Sequence, residues 1–163
     1  MIPRRNFTVY KSSAGSGKTY TLVKEYLKIA LGGDQPDRYR SILAITFTNK
    51  AANEMKERII GALKQCDSNE PFEMLDTLCI ELNKDESSLR KRASKTLEHI
   101  LHHYADFGIS TIDKFVHKIV RTFAYDLKIP INFEVEMDAI SLLNEAVDVL
   151  ISKIGTDKKL TNL

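Results

Sequence analysis

Over residues 7–63, short apolar runs alternate with apolar stripes at helical spacing. Residues 7–10 form a short β-prone run, and residues 42–45 form a continuous apolar run typical of a strand covered on both faces of a parallel sheet. A helical stripe follows each run. The first, closed by Gly32 and Gly33, comprises Leu22, Val23, Tyr26, Leu27 and Ala30, and the second, beginning near Asn49, comprises Ala51, Ala52, Met55, Ile59, Ala62 and Leu63. This order predicts the start of a parallel α/β domain.

The second half of the chain interrupts the strand pattern and then resumes it. Two helical stretches predict a helical insertion over residues 66–106, and residues 107–112 predict a further strand. A helix should follow with Phe115, Val116, Ile119, Val120 and Phe123 on its apolar side. After an ambiguous segment at 131–135, a last amphipathic helix is expected from Ile140 to Ile154. We therefore expect an α/β domain over residues 1–128, followed by a helical segment within residues 129–163.

Composition limits the class of protein without selecting a partner. The 163 residues are 43% hydrophobic, which is enough for one core, and the formal charge of +2 neither favours nor excludes a nucleic acid. Cys66 and Cys79 lack the spacing of a metal site or a disulfide framework and are expected to be buried thiols in a reducing cytosol. Because no apolar stretch resembles a signal peptide or a membrane helix, we expect a soluble cytoplasmic protein without a membrane partner.

A glycine-rich segment lies between the first predicted strand and the first predicted helix, the position of a phosphate-binding loop. Its candidate ATP-binding residues are Ser12, Ser13, Ala14, Gly15, Ser16, Gly17, Lys18 and Thr19. Gly15 and Gly17 can adopt positive φ, so that backbone N–H groups surround a phosphate. Lys18 would reach the β- and γ-phosphates and Thr19 would bind Mg²⁺, which makes them the candidate catalytic residues. Ser12 replaces the usual first glycine, and the alternative is a serine-glycine loop that only turns the chain.

Residues 42–59 include the run Thr46, Phe47, Thr48, Asn49, Lys50, Ala51, Ala52. This segment resembles the second conserved motif of superfamily 1 helicases of the UvrD and RecB type. Residues 110–116 resemble the next motif, with Asp113 and Lys114 where the family usually has histidine and serine. The resemblance implies that single-stranded DNA is contacted by Thr46, Phe47, Thr48, Asn49, Thr111 and Phe115. The alternative is that Phe47 is buried and the threonines only cap a helix, and Asp113 is itself a candidate helix cap.

The helical insertion before residues 110–116 makes the RecB and AddA branch the better match. The resemblance implies a partial RecA-like P-loop domain with a parallel sheet, from an ATP-dependent DNA helicase using ATP and Mg²⁺. The implied partners are single-stranded DNA, the remaining helicase domains of the same polypeptide, and a nuclease, either fused or separate. No strand ending in Asp-Glu and no second-domain arginines are recognised, and residues 133–138 lack the apolar run of a buried strand. We therefore expect a truncated chain without activity of its own.

Two other functions and two lesser features stay open. The chain could be a P-loop kinase or other phosphotransferase, or a non-catalytic RecA-like remnant that binds DNA or a protein partner. Three histidines at helical spacing are either metal ligands or a solvated helix face: His99, His102 and His103. A basic cluster in the insertion either lies along DNA or is ordinary charged surface: Lys84, Arg90, Lys91, Arg92 and Lys95.

Overall fold

A computed structural model of the chain describes residues 7–11, 17–68, 70–130, 132–133 and 138–153. The chain divides into two compact units, Met1–Ile119 and Val120–Leu163. In the described residues the regular helices and strands are α1 (Lys18–Gly32), β1 (Ala44–Thr46), α2 (Asn49–Asp67), α3 (Glu73–Leu82), α4 (Glu86–His102), β2 (Ile109–Thr111), α5 (Ile112–Thr122) and α6 (Ala139–Ser152). Short 3₁₀ helices occupy Arg38–Ser41 and Tyr104–Asp106. The described chain is therefore mostly helical, with a small sheet.

The sheet consists of β1 and β2, which pair in parallel in the described residues. Ala44 lies opposite Ile109 and Thr46 lies opposite Thr111. The prediction of a strand at residues 7–10 is wrong, because these residues have no regular structure and are exposed. A run of four β-prone residues forms a strand only where a neighbouring strand accepts its hydrogen bonds, and the sheet in the described residues consists of β1 and β2 alone.

Helix α2 is the centre of the first unit. It packs against α1, α4 and both strands, while α3 packs against α1 and α4. Burial of one leucine or isoleucine stabilises the fold by about 1.5–3 kcal/mol. The largest fully buried apolar side chains come from all four helices and the first 3₁₀ turn: Leu27, Leu31, Tyr39, Ile59, Leu63, Leu75, Leu78, Leu89 and Ile100. The two helices within residues 66–106 thus share one core with α1 and α2.

Two arginines of α4 bind backbone carbonyls at the ends of other helices. Arg92 donates hydrogen bonds to the Leu31 carbonyl at 3.4 Å, to the Gly33 carbonyl and to the Asp34 carboxylate, at the end of α1. Arg90 donates in the same way at the end of α2, to the carbonyls of Cys66, Ser68 and Glu70. The last carbonyls of a helix lack partners within it and attract cations. For these two members of the basic cluster, the structure shows a role in holding the fold together.

Both cysteines are free thiols. Cys66 is buried, and this burial raises its pKa to about 11, while burial also raises the pKa of the half-buried Cys79. A thiol with a raised pKa is protonated at neutral pH and is a poor nucleophile. The prediction of a buried thiol is therefore confirmed for Cys66, whereas Cys79 is only half-buried at the edge of the core.

The second unit contains α6, which the sequence predicts from Ile140 onward. The Asp138 carboxylate caps it by accepting a hydrogen bond from the Ser141 N–H at 3.0 Å. Its apolar residues are exposed, including Ile140 and Leu143. Residues 134–137 and the predicted polar tail from Gly155 lie outside the described residues. None of the described helices is both long and apolar enough to cross a membrane.

Candidate functional site

The start of α1 carries the end of the predicted phosphate loop. Gly17 adopts the left-handed conformation (φ 75°), and its carbonyl accepts the first helical hydrogen bond, from the Thr21 N–H at 3.0 Å. A Cβ at Gly17 would meet no atom within 4 Å, so glycine is favoured here by backbone conformation and not by space. Lys18 is exposed and Thr19 is half-buried. Residues 12–16 lie outside the described residues, so the roles of Ser12, Ser13, Ala14, Gly15 and Ser16 stay predictions.

The turn between β1 and α2 is held by two threonines. The Thr46 hydroxyl donates to the Thr48 carbonyl at 3.1 Å, and the Thr48 hydroxyl accepts from the Ala51 N–H at 3.1 Å. Thr48 is the N-cap of α2, because its extended backbone and side-chain oxygen satisfy one of the free N–H groups of the first turn. Phe47 lies between these threonines with 88% of its surface exposed. The alternative of a buried Phe47 is wrong, whereas capping by Thr48 is confirmed.

Strand β2 runs directly into α5 without an intervening turn. The Thr111 hydroxyl accepts a hydrogen bond from the Lys114 N–H at 3.3 Å, and the Thr111 side chain is almost entirely buried. The suggestion that Asp113 caps α5 is therefore wrong, because the cap is Thr111 at the end of the strand. Asp113 instead lies exposed in the first turn of the helix, and Phe115 is half-buried.

The register of the sheet brings the two strand–helix junctions together. Since β1 and β2 are parallel and Thr46 lies opposite Thr111, the first turns of α2 and α5 follow the same edge of the sheet. Each contributes backbone N–H groups and a partial positive charge, which favour an anionic ligand at α2, while the Asp113 carboxylate in the first turn of α5 opposes one there. The structure thus collects Thr46, Phe47, Thr48, Asn49 and Thr111 at one edge, while Lys18 and Thr19 lie on another element, at the beginning of α1.

Comparison with known families gives this arrangement its context. The family model of the UvrD/REP helicase N-terminal domain matches residues 3–162 of the chain. The chain belongs to the UvrD/REP helicase family. The small parallel sheet among helices is consistent with an α/β domain of this family. No solved structure matches the chain.

Several bacterial relatives share this UvrD/REP segment, and each is named as one subunit of an ATP-dependent helicase/nuclease. The protein from Oceanobacillus iheyensis is 33% identical over 144 residues, covering 87% of this chain and 10% of the relative. The protein from Bacillus cytotoxicus is 31% identical over 150 residues, covering 90% and 10%, and that from Streptococcus suis is 34% identical over 145 residues, covering 85% and 10%. The chain thus spans about a tenth of the length of these relatives.

Two of the three clustered histidines, His99 and His103, make local contacts. The His99 Nδ1 lies 3.0 Å from the hydroxyl of the buried Tyr39, and the His99 and His103 rings stack at 4.4 Å. His102 and His103 are exposed. Within the described ranges, no group of three or more His, Cys, Asp and Glu side chains could hold a metal ion.

Sequence reasoning offered capping by the threonines as an alternative, but it missed the hydrogen bond from Thr46 to the Thr48 carbonyl and the roles of Arg90 and Arg92. The Thr46 hydroxyl bond spans only two residues, and a threonine bonding to nearby backbone at a turn is a signal that could have been used. No local signal exists for Arg92, because its carbonyl partners lie about 60 positions away in the chain. Such a contact is created by the packing of α4 on α1.

Proposed function

We propose that the chain is the amino-terminal ATP-binding part of an ATP-dependent DNA helicase that moves along single-stranded DNA. The observation that carries this proposal is the exposed Phe47 ring at the carboxyl end of β1, beside the capped N-terminus of α2. An aromatic ring there offers a stacking surface for a base, and the adjacent N–H groups suit a phosphate. Membership of the UvrD/REP family and the names of the relatives support it.

ATP is assigned to residues 12–19, with Mg²⁺ bound by Thr19. The left-handed Gly17 and the absence of an acidic side chain from the first turn of α1 fit a phosphate-binding loop at this helix N-terminus. Lys18, exposed at the first position of α1, would bind the β- and γ-phosphates. Hydrolysis of the bound nucleotide supplies the free energy for movement along DNA.

Single-stranded DNA is assigned to the carboxyl edge of the sheet. Phe47 would stack on a base, which is worth about 1–3 kcal/mol and is indifferent to sequence. Thr48 and Asn49, at the start of α2, would contact the sugar-phosphate backbone of the DNA. Thr46, Thr111 and Phe115 are the remaining residues assigned to the DNA site. Because Thr111 is 5% exposed, its part in DNA binding is to cap α5 more than to present its own hydroxyl.

The domain bounds and the remaining parts of the proposed helicase are assigned by similarity to longer proteins. We assign residues 1–128 to a partial RecA-like domain with a helical insertion at 66–106, and residues 129–163 to the start of a helical subdomain. The remaining helicase domains would belong to the same polypeptide. The names of the relatives include a nuclease activity, which supports a fused or partner nuclease. A phosphotransferase is not favoured, because the chain belongs to a helicase family.

Binding of labelled oligo-dT, oligo-dA and a mixed single strand to the 163-residue chain tests the DNA assignment. Phe47→Ala should weaken binding to all three by about fivefold to 150-fold, since stacking does not depend on the base. Tyr125→Ala is the matched control, because it removes an equally exposed aromatic ring (91%) from the second unit. Equal affinities of the unsubstituted chain and Phe47→Ala would refute the assignment.

A further inference from the structure

The Phe47 ring cannot be held in place by its own packing. With 88% of its surface exposed, it has few neighbours that could fix its direction. Its location therefore depends on the backbone of the turn between β1 and α2. For a stacking residue this matters, because a ring that is already placed loses less conformational freedom when it binds a base.

Three sets of hydrogen bonds fix that backbone. On the strand side, Thr46 is paired with Thr111 in the sheet. On the helix side, the Thr48 carbonyl accepts from the Ala52 N–H at 3.0 Å and the Thr48 hydroxyl accepts from the Ala51 N–H. Between them, the Thr46 hydroxyl donates to the Thr48 carbonyl, which joins the two residues on either side of Phe47.

The chemistry of a hydroxyl limits what Thr46 can do in addition. A threonine hydroxyl has one proton to donate, and phosphate oxygens only accept. While the Thr46 proton is shared with the Thr48 carbonyl, it cannot be donated to a DNA phosphate. We propose that Thr46 is a positioning residue, whose hydroxyl closes the turn that presents Phe47 to single-stranded DNA. This role rests on the proposed function of Phe47 in stacking.

The chain contains no tryptophan, so Phe47→Trp places a single fluorescent reporter at the site. Time-resolved anisotropy of this reporter, without DNA, measures how freely the ring moves. Thr46→Val keeps the shape and the β-branch of the side chain and removes the hydroxyl, and it should increase the amplitude of the fast local motion. Thr46→Ser keeps the hydroxyl and should restore the restricted motion. Thr77→Val, which removes a hydroxyl bond to the Glu73 carbonyl within α3, should leave the reporter unchanged.

The second measurement is affinity for oligo-dT, with phenylalanine retained at position 47. Thr46→Val should weaken binding by about twofold to tenfold, the scale expected for loss of one hydrogen bond. Thr46→Ser should bind like the unsubstituted chain. In a Phe47→Ala background, Thr46→Val should have no further effect, because its influence acts through the ring. Thermal melting monitored by circular dichroism confirms that each variant is folded.

The outcomes separate the positioning role from the proposed function. Unchanged anisotropy in Thr46→Val overturns the positioning role, whether or not DNA binds. An equal loss of affinity in the Phe47 and Phe47→Ala backgrounds also overturns it, since Thr46 would then contact DNA directly. Thr46→Val could increase the motion of the tryptophan reporter while addition of DNA leaves the anisotropy of that reporter unchanged. In that case the positioning of the ring stands and the stacking function of Phe47 is refuted.

Discussion

Thr46 and Thr111 lie opposite one another as the last residues of the two parallel strands, yet each leads into its helix differently. After Thr46, Phe47 and Thr48 intervene before α2 begins at Asn49, whereas Thr111 is followed at once by α5. The intervening turn carries Phe47 into solvent, and the direct connection leaves Thr111 buried as a cap. One edge of the sheet thus carries both the exposed Phe47 ring and the N-terminus of α5, which is capped by the buried Thr111.

Replacing Lys18 by alanine should weaken nucleotide binding by about tenfold to 100-fold, the scale of lost hydrogen bonds to a charged group. The loss of stability should be small, because an exposed lysine at a helix start supports no core. Calorimetric titration with ATP and Mg²⁺ measures the first effect and thermal melting the second. Lys64→Ala, at an exposed position near the end of α2, is the control and should bind like the unsubstituted chain. Equal affinities for both variants would contradict the assignment of the phosphate loop.

Gly108→Ala should destabilise the fold by about 1–3 kcal/mol, the usual cost of overpacking. A Cβ at this position would lie 2.6 Å from the Ile42 carbonyl oxygen, which is backbone and cannot move aside cheaply. The Gly108 carbonyl also accepts the Ala44 N–H at 2.9 Å, so displacement disturbs the pairing of the strands. Urea unfolding checks the value. Gly61→Ala is the control within α2, where a Cβ meets no atom within 4 Å, and it should stabilise the chain by about 0.5–1 kcal/mol.

Glu81 should make the fold sensitive to acid. Hydrogen bonds from Lys24 and Lys28 lower its pKa below the ordinary value of 4.5. A carboxylate with a lowered pKa contributes stability above its unfolded-state pKa, and this contribution is lost as the pH falls through the folded-state pKa. The difference in unfolding free energy between the unsubstituted chain and Glu81→Gln, about 0.5–1 kcal/mol at pH 7, should therefore shrink below pH 4.5.

The control for this pH effect is the same Glu81→Gln substitution with both lysines replaced by methionine. Without Lys24 and Lys28 to donate hydrogen bonds, most of the acid-dependent difference should disappear. Urea unfolding at a series of pH values provides the measurement. If the difference kept its full pH dependence in that background, the two lysines would not be its cause.

The 163-residue chain should show no ATP hydrolysis above the level of its Lys18→Ala variant, with or without single-stranded DNA. Phosphoryl transfer depends on charges placed around the γ-phosphate, and loss of an arginine finger alone costs about 10³–10⁵ in rate. Phosphate release from the two purified chains is the measurement, and their difference removes contaminating activity. A DNA-stimulated rate that Lys18→Ala abolishes would point to acids within the chain, with Asp113 and Asp138 the first to replace.

The sequence predicts those parts of the fold whose signals are local. The start of α2 at Asn49 follows from a threonine cap and an apolar stripe, and the end of α1 at Gly32 follows from a pair of glycines. The strand predicted at residues 7–10 is wrong because a strand depends on a neighbour that the local sequence does not specify. The caps made by Arg90 and Arg92 could not be predicted for the same reason, since their partners become neighbours only when the helices pack.

In the candidate site, too, local features could be predicted from the sequence and specific hydrogen bonds could not. Exposure of Phe47 is expected from its motif, and positive φ at Gly17 is expected from the glycine-rich loop. The motif alone does not show that the Thr46 and Thr48 hydroxyls take part in hydrogen bonds within the turn. A side chain type compatible with DNA binding is equally compatible with capping a helix, and only the geometry separates the two roles.

Contacts along α1 link the phosphate-loop end of the chain to α3 and α4. At 15 residues it is about 22 Å long, with Lys18 at one end and the carbonyls bound by Arg92 at the other. Glu81 of α3 binds Lys24 and Lys28 along its side. These contacts join α1 to α4 at its end and to α3 along its side. A displacement of Lys18 along the helix axis would therefore either break these contacts or carry α3 and α4 with it.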